Sequence, residues 1–369
     1  MTAAGTQLQP QQQHQPLLRV TDLCVRFGTR GPAAVEHASL SLFPQQTLAI
    51  VGESGSGKSV TAMSVLGLLP QTRTPDLAPS GTIEFTQPDG RSINLLACPQ
   101  SQLRSIRGGQ IAMIFQEPMT SLNPVLTIGE QIGESLVLHR GSLGPRDRRE
   151  AAAAALAAVG IDAPQQRLAQ YPHEFSGGMR QRVMIAMALA CNPSILIADE
   201  PTTALDVSVQ AQILDLIDGL RLTRKLGVLL ITHDLNVVRN RADVVCVMFR
   251  GRVVEYGRAP DLLAAPLHPY TAALLQCSPG LGTRGTRLRT VTSLASPELR
   301  ATIPSDNGPI EPWWPQSGEG RLVRAGIDRW VCGRHVAGGP AIVERPEIAW
   351  SRDAVAKAEE FADARPDRC

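Results

Sequence analysis

Several features that would each have settled the class at once are scarce or missing. The seven cysteines stand at positions 24, 98, 191, 246, 277, 332 and 369 with no C-x-x-C pair and no regular spacing. That scatter encodes neither a disulfide framework nor a four-thiolate zinc site, and it fits a reduced, cytosolic compartment. Cys332 lies three residues before His335, but no second pair completes a metal site. No uninterrupted apolar run reaches the roughly 18 residues of a membrane span. Lysine is confined to Lys58, Lys225 and Lys357, and the net charge is only +2, so neither a nucleic-acid footprint nor a polybasic membrane anchor is encoded. Arg284, Arg287 and Arg289, the one crowded basic stretch, sit among glycines and threonines and read as solvated linker. Residues 1–16 (MTAAGTQLQPQQQHQP) are a low-complexity polar tract, expected to be disordered, and not a signal peptide.

What is present begins with an apolar run, Leu48–Val51, followed by GESGSGKS at Gly52–Ser59 and a helical segment expected to stop at Pro70. The pattern G-x-x-x-x-G-K-[ST] has a physical reason at each fixed position. Gly52 and Gly57 let the backbone curl with its N–H groups inward around a phosphate chain, Lys58 adds a cation, and Ser59 offers a hydroxyl to Mg²⁺. Alone, the loop announces a nucleoside triphosphate and nothing finer.

The length of 369 residues predicts a main body with an appendage. LLRVTDLCVRF, expected to run as a strand to Phe27, and AAVEHASLSLF alternate apolar and polar residues as half-buried strands do. Two more short strands follow Pro70, and RGGQIAMIFQ reads as a strand ending at Gln116. IGEQIGESLVLHR and the alanine-rich RDRREAAAAALAAVG, closed by Gly160, predict an inserted helical lobe. A helix from FSGGMRQRVMIAMALAC, a buried strand ILIADE, the helix VSVQAQILDLIDGLRLT, the strand GVLLITHD, the short helix LNVVRNRAD and a hairpin turned at Arg250 and Gly251 complete the body. Strand alternating with helix argues for an α/β fold with a largely parallel sheet. Beyond Pro279 periodicity is lost, and polyproline or irregular backbone is expected around Pro312, Trp313, Trp314 and Pro315.

Asp199 and Glu200 end the strand ILIADE. In phosphate-loop enzymes an Asp so placed holds Mg²⁺, and an adjacent Glu can take the proton of the attacking water. His233 or Gln116 alone would read as an ordinary polar residue at a strand end. In ordered series they say more.

That series resembles the ATP-binding subunit of an ABC transporter. Gln116 in IFQEP is similar to the Q-loop, FSGGMRQR at 175–182 to the signature, TALD at 203–206 to the D-loop, and His233 in ITHD to the switch histidine. Phe175 and Met179 depart from the commoner LSGGQ. QEPMTSLNP at 116–124, YPHEFSGGMRQRVMIAMAL at 171–189 and HPYTAALL at 268–275 are similar to the oligopeptide, dipeptide and nickel importer branch. The cysteine-rich R-C-P stretch usual after HPYT is missing, so no iron–sulfur cluster is expected.

The resemblance implies a P-loop NTPase of ABC ATPase fold over residues 17–279: a mixed sheet core, an antiparallel β subdomain and a helical subdomain at about 117–190. An irregular extension, 280–369, is a candidate regulatory segment. The implied ATP contacts are Phe27 on adenine, then Gly52, Glu53, Ser54, Gly55, Ser56, Gly57, Lys58, Ser59 and Val60. Ser176, Gly177 and Gly178 act in trans, across a head-to-tail dimer. Ser59, Gln116 and Asp199 are the implied Mg²⁺ ligands; Glu200, His233 and Gln116 the catalytic set. The implied partners are a second ATPase subunit, two permeases and, indirectly, an extracytoplasmic solute-binding protein, with no nucleic acid, at the cytoplasmic face of the membrane. The implied function is ATP-driven uptake of peptides or similar small solutes. Nickel import, a soluble ATPase acting on ribosome or DNA, and an inactive partner of a heterodimer stand as alternatives.

Overall fold

A computed structural model describes residues 15–28, 32–69, 78–116, 121–202, 206–277, 303, 305, 310–313, 321–326 and 328–335. The two alternating segments near the start form β1 (Leu18–Val25) and β2 (Val35–Leu42), paired antiparallel. With β4 (Ser80–Thr86) and β5 (Ser92–Asn94) they make a four-stranded sheet in the order β2-β1-β4-β5. Pro16, assigned to the tail by its composition, is already tied down, because the Thr86 hydroxyl donates to its carbonyl at 2.8 Å. β1 ends at Val25, two residues short of Phe27.

The second sheet holds the site. Its central strands are β3 (Thr47–Val51), β6 (Ile111–Ile114), β7 (Ile195–Asp199), β8 (Gly227–Ile231) and β9 (Val244–Phe249), side by side as β6-β7-β8-β3-β9 and parallel throughout. Every residue of β3, β7, β8 and β9 is buried, as expected of parallel strands covered on both faces. Their pleat divides the core. Ile195 and Ile197 pack with β1, β2 and β4 and with helix α1 (Lys58–Val65) on one side. Leu196 and Ala198 pack into the helical lobe on the other. The lobe comprises α3 (Ile128–His139), α4 (Pro145–Ala158), α5 (Pro164–Arg167) and α6 (Gly177–Leu189); α2 (Gln100–Ile106) precedes it. Thr127 and Glu130 close a reciprocal capping box at the start of α3. Gly160, at φ 72°, ends α4 as the left-handed residue beyond its last turn. α7 (Val207–Thr223) and α8 (Leu235–Arg241) link the later strands.

Two expected boundaries shift. β6 stops at Ile114, one residue before its neighbour β7 does: Ile114 pairs with Ala198, while Asp199, the last residue of β7, pairs on the other side with Ile231 of β8. Gln116 therefore lies beyond the ladder. α1 ends at Val65, ahead of Pro70, which lies outside the described residues, as do Thr203–Leu205 of the D-loop, the arginines at 284, 287 and 289, and Trp314 and Pro315.

The hairpin expected at Arg250 and Gly251 joins β9 to β10 (Arg252–Arg258), and both turn residues have positive φ, 46° and 84°, as a two-residue primed turn requires. What lies beyond is more regular than its composition suggests. β11 (Ile310–Pro312), β12 (Arg321–Gly326) and β13 (Arg329–His335) extend this same sheet, β13 pairing antiparallel with β10 and with both of the others. Pro312 thus ends a strand and Trp313 is buried. The Trp330 ring meets Tyr256 edge-on at 5.8 Å, and Cys332 is buried and free, its thiol pushed up to about 12 by burial.

After the short α9 (Ala259–Ala264), His268 caps α10 (Pro269–Gln276), Nδ1 accepting the Tyr270 N–H at 3.1 Å while Nε2 meets the Trp313 carbonyl at 3.0 Å. Burial pushes its pKa down from 6.5 to about 4, against the opposing pull of that carbonyl. A histidine that stays neutral when folded and protonates when unfolded gives stability that is present above its unfolded pKa and lost as pH falls through the window to its folded one. Stability against urea should therefore fall as pH drops from 6.5 to about 4, by up to about 1.4 kcal/mol per pH unit. His268→Asn, which does not titrate, should flatten that slope.

Candidate active site

Because β3, β6, β7 and β8 are parallel, their carboxyl ends lie at one edge of the sheet, and every loop leaving that edge faces the same space. Gly52–Ser59 leaves β3, Gln116 follows β6, Asp199 ends β7 with Glu200 next to it, and His233 follows β8.

The loop after β3 is shaped by what presses on it. A Cβ on Gly52 (φ 151°) would lie 2.2 Å from the Met248 carbonyl, and one on Gly57 (φ 103°) 2.5 Å from the Ala34 carbonyl. Neither position has room for a side chain. Gly55 (φ 77°) has open space beside it, so only its backbone conformation favours glycine. The Gly251 N–H donates to the Ser56 carbonyl at 3.0 Å and the Ser56 N–H to the Glu53 carbonyl at 3.1 Å. Lys58 is buried, its ammonium donating to the carbonyls of Gly52 and Glu53 at 2.8 Å each and to the Ser56 hydroxyl at 3.5 Å. Burial pushes its pKa down, against the pull of Glu200, Asp199 and Glu53. Ser54 is exposed, and Val60 lies in the first turn of α1, half-buried.

The carboxylates form two groups. The Ser59 hydroxyl donates to Asp199 Oδ1 at 3.2 Å. Burial raises the Asp199 pKa and Glu200 adds to the rise, while the Ser59 hydroxyl and Lys58 oppose it. Glu200 takes the left-handed conformation, φ 46°, with its N–H donating to the Ile231 carbonyl at 2.9 Å. Such backbone in a non-glycine residue is a strained state that surrounding structure must impose. Its Oε2 accepts from Gln116 Nε2 at 2.9 Å and its Oε1 lies 3.1 Å from His233 Nδ1. A carboxylate held from two sides in this way can receive a proton from a water, with an amide and an imidazole to register what occupies the site.

Other expected site residues stand apart. Ser176 caps α6, accepting the Met179 N–H at 3.3 Å, so that Gly177 and Gly178 open the helix with bare backbone N–H groups. They belong to the helical lobe. α6 is tied to the strand end beneath it where Gln181 Nε2 donates to the Pro201 carbonyl at 2.5 Å. Asp206 caps α7, accepting from the Val209 N–H at 3.0 Å. Phe27 is 52% exposed, just past the point where the Ala34 N–H donates to the Val25 carbonyl at 2.8 Å. Ala34 is the residue whose carbonyl presses on Gly57.

The donor set suits Mg²⁺, a hard cation taking oxygen ligands. A hydroxyl and a carboxylate already face each other, and the burial that disfavours charge on Asp199 is what a dication would offset. Gln116 reaches this cluster through Glu200. Sequence reasoning missed Tyr270, whose hydroxyl accepts the Glu53 N–H at 3.2 Å, and Asp243, which anchors β3 by accepting the Thr47 N–H at 2.7 Å. The HPYT wording flagged the first without giving it a role. Nothing local marks the second.

A glycine-walled loop between a parallel strand and a helix, facing a strand-end Asp-Glu pair, defines a P-loop nucleoside triphosphatase. The ABC transporter family model matches residues 35–203, and that of the oligopeptide/dipeptide transporter C-terminal region matches 254–303. A putative peptide import ATP-binding protein of Brucella melitensis is 48% identical over 299 residues, covering 79% of this chain and 87% of the relative. The dipeptide transport ATP-binding protein DppD of Bacillus subtilis is 48% identical over 276, covering 74% and 80%. A solved ATP-binding cassette, dimeric in a post-hydrolysis state with ADP and Pi, superposes with a TM-score of 0.55 at 28% identity, over 66% of this chain and 98% of that one. The chain belongs to the ATP-binding subunits of ABC transporters, ATPases coupled to transport, in their oligopeptide/dipeptide branch.

Because burial works against charge on Asp199, Asp199→Asn should raise the melting temperature of the nucleotide-free protein by about 2–4 °C, the response to roughly 1 kcal/mol in a domain of this size. The same change should cut ATPase activity by at least about 100-fold. Calorimetry and phosphate release read the two effects separately.

Proposed function

We propose that this chain hydrolyses ATP to power uptake of peptides or similar small solutes, working as one of two nucleotide-binding subunits on a pair of permeases. The observation that carries this reading is the meeting of Lys58, Ser59 and Asp199 with the Glu200–Gln116–His233 cluster at one sheet edge. The substrate class rests on relatives named for peptide import and dipeptide transport.

In this reading the backbone from Gly52 to Val60, Glu53, Ser54, Gly55, Ser56 and Gly57 included, wraps the triphosphate, and Lys58 turns from its own loop's carbonyls to the phosphate oxygens. Ser59 and Asp199, with Gln116, would hold Mg²⁺, which would supply positive charge to offset that of the phosphates. Glu200 takes a proton as water attacks the γ-phosphorus, and the bond to the bridging oxygen breaks to leave ADP and phosphate. His233 orients Glu200 and senses the γ-phosphate. Phe27 stacks on adenine, and its exposure leaves a face free to do so. Ser176, Gly177 and Gly178 reach the γ-phosphate bound by the partner subunit. That arrangement is supported by their separation from the loop onto another lobe and by the dimeric state of the cassette matched above. No helix among the described residues is long and apolar enough to cross a membrane. In this reading the chain sits on the cytoplasmic face through its permeases, and a solute-binding protein delivers cargo from the other side.

Glu200→Gln should lower turnover by about 10²–10⁴-fold, the usual worth of a general base, yet still dimerise when ATP is added, as size-exclusion chromatography would show. Normal hydrolysis by that variant in the assembled transporter would remove Glu200 from the role. Affinity purification from detergent-solubilised membranes should bring down integral permeases; recovery of ribosomes or DNA in their place would defeat the transport reading.

A further inference from the structure

The start of α10 connects two regions far apart in the chain. On one side the Tyr270 hydroxyl accepts the Glu53 N–H of the phosphate loop at 3.2 Å, 217 residues away in sequence. The Tyr270 ring is stacked on Phe249 at 4.3 Å between centroids and 29° between planes, which fixes where that hydroxyl points. Burial pushes the phenol up to about 12, so it remains a neutral hydroxyl and never places a phenolate against a triphosphate.

On the other side, the same turn is gripped by the C-terminal strands. His268 Nδ1 takes the Tyr270 N–H while Nε2 meets the Trp313 carbonyl, just past β11. The Trp313 N–H in turn donates to the Cys332 carbonyl of β13 at 2.9 Å. Glu255 of β10 is fully buried and accepts from the N–H groups of Leu267 and His268 at 2.9 and 3.0 Å. Arg329 of β13 pairs with that carboxylate at 2.6 Å. The backbone at Leu267–His268 is therefore held by a carboxylate whose counter-charge comes from the C-terminal hairpin.

We propose that Tyr270 is a positioning residue of the phosphate loop, and that the C-terminal strands set the loop's readiness for nucleotide through His268 and Tyr270. The inference rests on reading Gly52–Ser59 as the ATP site. The bond from the Glu53 N–H fixes the first turn of that loop, whose Glu53 carbonyl is also a resting partner of Lys58. Without the hydroxyl, the loop must order itself on binding, and affinity falls by the population of the competent state. The chemistry at Glu200, on another strand, is untouched.

The test is Tyr270→Phe in the full chain, which keeps the ring stack and deletes one oxygen. ATP affinity, read with a fluorescent ATP analogue, and the ATP KM of the assembled transporter should worsen by about three- to tenfold, the worth of one net hydrogen bond. Turnover at saturating ATP should not move, and the melting temperature should fall by no more than about 2–4 °C, the worth of one such bond. His268→Asn retains the cap on the Tyr270 N–H but is too short to reach the Trp313 carbonyl. It should weaken ATP binding in the same direction, and the double variant should be no worse than Tyr270→Phe alone. Unchanged ATP affinity in Tyr270→Phe, or a fall in turnover together with the melting temperature, overturns the positioning role. Multiplying effects in the double variant overturn the link to the C-terminal strands. Lys58→Ala separates this from the parent reading. Loss of ATP binding there with none in Tyr270→Phe sinks the inference alone, whereas indifference in both sinks the nucleotide site itself.

Discussion

Everything at this site depends on the parallel pairing of β6, β7, β8 and β3. Parallel pairing forces each strand to be followed by a crossover, and so places the carboxyl ends together. Residues 52, 116, 199, 200 and 233 come from four separate strand ends, yet the ladder sets them in one row. The register is locked because the pleat sorts Ile195 and Ile197 to one core and Leu196 and Ala198 to the other. A slip of one residue would exchange those faces and move the carboxylate pair off the edge.

The loop's shape is imposed from outside as much as it is encoded within. Carbonyls of Met248 and Ala34 lie where side chains on Gly52 and Gly57 would go. These carbonyls come from β9 and from the start of β2, two different sheets. The antiparallel sheet and the β9–β10 turn are thus walls of the nucleotide loop, and the Glu36 N–H, donating to the Gly251 carbonyl at 2.7 Å, ties the walls together. Ala34 acts there through its carbonyl, and Met248 through its carbonyl at Gly52 and through its side chain at Gly57, where its Cε would lie 3.3 Å from a Cβ.

Local chemistry made the loop, the caps and the order of elements legible. The four-residue apolar run before Gly52, Gly160 closing the alanine-rich helix and the hairpin turn at Arg250–Gly251 are all properties of neighbouring residues, and the structure has each. The ends of β1 and β6 were misplaced because an apolar residue at a strand end does not reveal whether the chain stays in the ladder; β6 leaves it at Ile114 although β7 continues to Asp199. The C-terminal strands escaped notice for the same reason on a larger scale. Trp313 and Trp330 acquire meaning only against Arg252 and Tyr256, which lie on β10 more than fifty residues earlier. Tyr270 was visible as part of a motif. Its partner was the loop itself, a contact that no spacing could disclose.

The two glycines that open α6 are not equivalent. A Cβ on Gly178 would come within 2.9 Å of Val209 in the same chain, whereas one on Gly177 would meet nothing within 4 Å. Gly178 must be bare for the subunit to pack. Gly177 answers to no neighbour among the described residues of its own chain, so an alanine there is expected to be silent in the isolated subunit. Any cost such an alanine carries in the assembled transporter is a reading of the surface that arrives against it, obtained without disturbing the molecule that presents it.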